Sequence, residues 1–127
     1  MSFAFNSLAG PIAIDASLSG PLGQADVRLI LDTGATTSLI RSTILVAVGY
    51  DPDASNDRIQ VAIGGGMHLV PRVLLNRLSA LGQHRIGLPV LSHSILPAAG
   101  IDGLLGLDFF RGTILTVDFQ AAQISLR

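Results

Sequence analysis

The chain has 127 residues, 49% of them apolar, with 8 Arg against 9 Asp, neither Lys nor Glu, no Cys and a formal net charge of -1. That length sets a single domain over residues 1–127 with room for an ordinary core, and the mean hydropathy of +0.57 excludes a disordered chain. The absent basic surplus argues against nucleic-acid binding, and the absent cysteines exclude disulfide scaffolds, thiol catalysis and Cys-zinc sites.

Charged residues make up 13% of the chain, about half the globular norm of roughly 25%. So lean a surface is expected to bury part of itself against another copy of the chain. Met1–Pro11 carries no basic residue and no long apolar block, so it does not read as a signal peptide. No apolar run is long enough to cross a membrane. The expectation is a soluble, cytoplasmic protein with no membrane partner.

In chain order the pattern is mostly of period two, punctuated by turn residues. Pro11–Ser17 and Ala25–Leu31 read as strands joined through Gly20-Pro21-Leu22-Gly23. Asp32–Thr37 is a polar loop directly after the second strand. Arg41–Val48 is the best helix, with Ser42 as the expected cap and Gly49 at its left-handed C-terminal position. Tyr50–Asp57 has turn chemistry. Arg58–Ile63 and Met67–Leu75 are strands about Gly64-Gly65-Gly66, and Pro71 predicts an edge or a break in the second. Arg77–Leu81 and Gln83–Val90 form a hairpin about Gly82. Ile101–Leu107 is apolar around Asp102, Gly103 and Gly106. One helical turn, Asp108–Arg111, precedes closing strands at Thr113–Phe119 and Ala122–Leu126. The sum is a mostly-β fold with one or two short helices.

The segment that stands out for chemistry is Leu29-Ile30-Leu31-Asp32-Thr33-Gly34-Ala35. A strand ends and presents a carboxylate, a hydroxyl and a glycine in succession. Gly34 permits close backbone approach, Thr33 can hydrogen-bond locally or to a facing chain, and three large apolar residues behind Asp32 should leave it partly desolvated.

This segment resembles the active-site loop of retropepsin-like aspartic proteases, the single-domain relatives of pepsin. Two later motifs extend the resemblance in the same order. Gly64-Gly65-Gly66-Met67 between strands is similar to the family's flap, and Ile101-Asp102-Gly103-Leu104-Leu105-Gly106-Leu107-Asp108-Phe109-Phe110 resembles the late apolar-apolar-Gly motif and short helix of its bacterial branch. The resemblance runs from about Pro11 to the C-terminus. It implies a closed β-barrel of the acid-protease type and an aspartic endopeptidase without metal or cofactor.

Peptide hydrolysis by this route needs two carboxylates sharing one proton, one acting as general base on water and the other as general acid. Like charges about 3 Å apart cannot both ionise. Asp-Thr-Gly occurs once in the chain, so the second carboxylate has to come from a second copy, most simply across a two-fold axis. By the resemblance, Asp32 of each subunit forms the dyad, Thr33 braces the two loops and Gly34 sets backbone donors near the carboxylates. Ala35 lines the cleft, and the flap at Gly64, Gly65, Gly66 and Met67 closes over an extended peptide or protein substrate.

The sequence departs from retroviral members where Thr36 and Thr37 replace acidic residues, and where Asp108 follows Leu107. His68, His84 and His93 show no metal-ligand spacing, and Asp51, Asp53 and Asp57 lack the closing Glu of a calcium loop. Asp108 reads as a helix-start residue and Asp118 as a strand-surface residue. Two alternatives stand beside the protease: a peptide-binding or dimerisation module on the same fold, and an unrelated β-barrel with a chance Asp-Thr-Gly.

Overall fold

A computed structural model of the chain describes residues 1–94 and 99–127. In order the elements are β1 (Ser2–Ala4), β2 (Ala13–Gly20), β3 (Gly23–Leu31), β4 (Leu39–Arg41), α1 (Ser42–Ala47), a 3-10 turn at Pro52–Ala54, β5 (Arg58–Ile63), β6 (Gly66–Ala80), β7 (Gln83–His93), β8 (Gly103–Leu105), α2 (Leu107–Phe110), β9 (Leu115–Asp118) and β10 (Gln123–Leu126).

The main sheet runs β2-β3-β8-β4-β7-β6-β5, and β2 pairs again with β6, so the first six strands of that order close a barrel while β5 hangs from β6 as an arm. Closure removes the sheet edges that otherwise invite aggregation. It rests on four cross-strand pairs, Ala16 to Ala80 through Ser19 to Arg77. A three-stranded sheet β1-β10-β9 joins the two ends of the chain. Among the described residues no helix is long and apolar enough to cross a membrane.

Alternation along the strands decides what the barrel holds. Ile14, Ala16 and Leu18 of β2 point inward, where they meet Val27, Leu29, Leu75, Leu78 and Phe109 in one core. Leu39, Val70 and Leu91 form a smaller cluster at the root of the arm, with Ile59, Val61 and Ile63 packed on it.

The predicted hairpins are present, with shifted bounds. Three local expectations need correction. The helix begins at Ser42 rather than Arg41, with Arg41 as its cap residue and no side-chain capping bond. The Ser42 hydroxyl instead meets Ser92 Oγ at 2.7 Å. The predicted strands Met67–Leu75 and Arg77–Leu81 are one strand, β6. It runs on because it changes partner: Pro71 faces Arg58 in the last β5 pair, and from Arg72 onward β6 pairs with β7. A residue without an amide donor sits where the ladder changes hands, as the expected edge or break requires. Gly66 belongs to β6 and not to the turn. Gly49 adopts the expected left-handed conformation after α1, with φ 102°.

Candidate active site

Asp32 lies one residue beyond β3, where two ladders meet. β3 and β8 run parallel, Leu29 to Gly103 through Leu31 to Leu105, and the Asp32 amide extends that ladder by donating to Leu105 O at 3.0 Å. The loop then turns on its own carboxylate: Gly34 N donates to Asp32 Oδ1 at 3.0 Å, and Ala35 N donates to Asp32 O at 3.2 Å. A Cβ on Gly34 would stand 3.2 Å from Asp32 Oδ1. A side chain at this position would crowd the carboxylate and require it to shift by a few tenths of an ångström. Asp32 is half-buried, whereas Thr33 and Gly34 are exposed. A half-buried carboxylate is thus followed by two residues on the surface.

The late glycine motif backs this loop. Leu107 N donates to Ala35 O at 2.8 Å and Asp108 N to Thr36 O at 3.2 Å. Gly106 is required by contact, since a Cβ there would lie 2.7 Å from Ala35 O. Behind the loop, Ser38 is fully buried. Its amide and hydroxyl donate to the two Asp108 carboxylate oxygens at 2.9 and 2.7 Å. Its oxygen accepts from Gly106 N at 2.9 Å, and Asp108 Oδ1 also accepts from Phe109 N. Sequence reasoning missed Ser38 and gave Asp108 only a helix-start role. The available signal was a serine wedged before Leu39-Ile40, where a buried hydroxyl must find partners.

Asp102 ties the other end of β8. Its carboxylate accepts from Arg28 N at 2.9 Å and lies 3.3 Å from Arg41 Nη2. The strands β3, β4 and β8 are thus fixed at both ends of the short central strand.

The arm formed by β5 and β6 turns through Gly64 and Gly65, at φ 60° and 82°. Ile63 faces Gly66 across this two-residue turn, the left-handed geometry that hairpins of this length favour. At the arm's root Arg72 N donates to Asp57 O at 2.7 Å and Arg72 Nε to Asp57 Oδ2 at 2.8 Å. That bond, then the charge of Asp57, raises the Arg72 guanidinium above its ordinary range. His68 of the arm meets His93 of β7 edge to face, with ring centroids 5.5 Å apart.

Between the arm and the Asp32 loop lies a cleft of about 470 Å³. Ala35, Thr36 and Thr37 line one side, Ile59 through Ile63 the other, and Leu39, Leu91 and Leu104 the floor. Of the sequence-predicted site residues, Gly34 and Ala35 line this cleft. Gly64, Gly65, Gly66 and Met67 sit at the tip beyond its lining, all exposed. The β5 residues on the cleft were not singled out in the sequence.

A family model described as aspartyl protease matches residues 14–109, from β2 through the Asp32 loop and arm to α2. No sequence match was found among curated proteins. In fold, the chain is similar to a retropepsin-like aspartic protease from Rickettsia conorii, with TM-score 0.73 at 16% identity over 99% of this chain and 89% of that one. It is also similar to the retroviral protease-like domain of Ddi1 from Leishmania major, with TM-score 0.59 at 14% identity over 94% and 95% of the two chains.

Proposed function

Since the chain belongs to the aspartyl protease family, we propose that it is an aspartic endopeptidase that works as a homodimer, each subunit contributing Asp32 to one catalytic dyad. The observation that carries this reading is a single Asp-Thr-Gly, whose Gly34 and the following Ala35 line the cleft and whose Asp32 stands next to them. One carboxylate cannot be general base and general acid at once. The exposed Thr33 and Gly34 offer the surface through which a second copy brings the other.

In the dimer the ionised carboxylate takes a proton from water, and the protonated one gives its proton to the carbonyl oxygen as the C–O bond forms. Collapse of the tetrahedral intermediate breaks the C–N bond: the carboxyl that took the water proton gives it to the leaving amine, and the other carboxylate takes a proton back from a hydroxyl of the intermediate, which restores the shared proton. Gly34 N holds one carboxylate oxygen in place during these transfers. Thr33 braces the two loops across the axis. The substrate lies extended between Ala35 and the arm, whose tip, Gly64 to Met67, closes over it and excludes water. Among the described residues the cleft lining is uncharged and mostly aliphatic, with Thr36, Thr37 and Gln60 as its polar members, which suits an uncharged, largely apolar segment.

An Asp32→Asn variant is expected to lose at least about a hundredfold in cleavage of a peptide library, and a pepstatin-type inhibitor to abolish wild-type cleavage. Undiminished cleavage by the variant would overturn the mechanism. Peptide binding without cleavage at any pH would instead assign a binding module on the same fold.

A further inference from the structure

We propose that Asp108 and Ser38 are positioning residues, holding the Asp32 loop in its working geometry through a hydrogen-bond knot between the buried Ser38 and the half-buried Asp108; this rests on the protease reading above. Four donors converge on this pair from three places in the chain. Ser38 N and Ser38 Oγ come from the end of the Asp32 loop, Phe109 N from α2, and Gly106 N from the late glycine motif. Each Asp108 oxygen accepts at least one of them. Ser38 Oγ is donor to Asp108 and acceptor from Gly106, so the hydroxyl proton has a single productive direction.

The knot is one step removed from the carboxylate. Gly106 follows Leu105, whose carbonyl accepts the Asp32 amide, and Leu107, the next residue, donates to Ala35 O. Shifting Gly106 therefore shifts both backbone bonds that flank the catalytic loop. Only a carboxylate fits the acceptor side. In Asp108→Asn one orientation sets an NH2 group against Ser38 N–H, and the other sets it against Ser38 Oγ and Phe109 N–H. Either way the NH2 group faces a backbone donor, Ser38 N–H or Phe109 N–H, in a half-buried place.

The experiment compares wild type, Asp108→Asn and Ser38→Ala in peptide cleavage, urea unfolding and amide hydrogen exchange. Wild-type Ser38, Gly106 and Phe109 amides are expected to exchange as slowly as the barrel core; fast exchange at these three would overturn the knot without any variant. At a temperature where the variants are folded, kcat is expected to fall at least tenfold with KM changed by less than threefold. Exchange at Ala35, Gly106 and Leu107 should quicken while β2 and β7 stay protected. Unchanged kcat per folded molecule, or unchanged exchange in the loop, would reduce the pair to ordinary fold stability. If wild type itself cleaves nothing while the exchange pattern holds, the protease reading fails and the knot survives as a feature of the loop.

Discussion

At the scale of single residues, the site is built as much by absent side chains as by present ones. Gly103 and Gly106 flank Leu104-Leu105, and both back directly onto the chain that carries Asp32. A Cβ at Gly103 would come within 1.9 Å of Leu39 O, and one at Gly106 within 2.7 Å of Ala35 O. Neither neighbour can yield, since both are backbone atoms in paired segments. Gly106→Ala is therefore expected to cost about 2 kcal/mol or more, read as a lower urea midpoint. Gly10→Ala, with nothing within 4 Å of the added carbon, should stay within about 0.5 kcal/mol of wild type. Equal midpoints for the two variants would show that the late glycine is not there for close approach. At this scale the sequence was readable wherever a residue type has few uses. Asp32, Gly34 and Gly106 were visible as a motif. Ser38 was not, because serine is common and its burial is a property of the closed barrel.

Elements tell the same story through their lengths. β2, β3, β5 and β7 were legible because period-two alternation persists long enough to register, and because glycines mark their turns. β1 and β4 are three residues each, too short for any period, and they exist because β10 on one side and β7 and β8 on the other supply ladders. The sequence over β6 reads as two strands because Pro71 and Asn76 interrupt its pattern. Pro71 sits at the change of partner, and Asn76 N donates to Tyr50 Oη at 2.7 Å. The register that closes the barrel between β2 and β6 has no local mark at all. The arm is the element on which activity should depend most directly. Its tip needs two consecutive positive φ values, at Gly64 and Gly65, and no side chain packs there. Gly65→Ala is expected to destabilise the hairpin by about 1 kcal/mol while leaving the global urea midpoint nearly unchanged. Hydrogen exchange at Gly66 and Met67 should quicken, and KM should rise. An unaltered KM with a loosened tip would show that the arm does not touch substrate.

For the whole molecule the decisive quantity is the number of chains per active site. A barrel of this size holds one Asp-Thr-Gly and leaves its Thr33 and Gly34 exposed, with 13% of residues charged. A surface so lean is easily desolvated against a copy of itself, and a two-fold arrangement presents the same patch on both partners. The proposed two-copy site has a consequence that no monomeric enzyme shares. Asp32→Asn chains retain the loop and the surface but supply an amide, so a mixed dimer has one carboxylate and no proton to share between two. Adding Asp32→Asn chains to an equal amount of wild type, after exchange of subunits, should lower cleavage per wild-type chain to about half, as random pairing about a two-fold axis dictates. A larger excess should lower it further. The same dilution of wild type into buffer should depress specific activity as dimers dissociate. If cleavage is indifferent to the added variant at every ratio, with subunit exchange verified by mass-tagged chains, each barrel acts alone. The second carboxylate would then have to be sought within one chain.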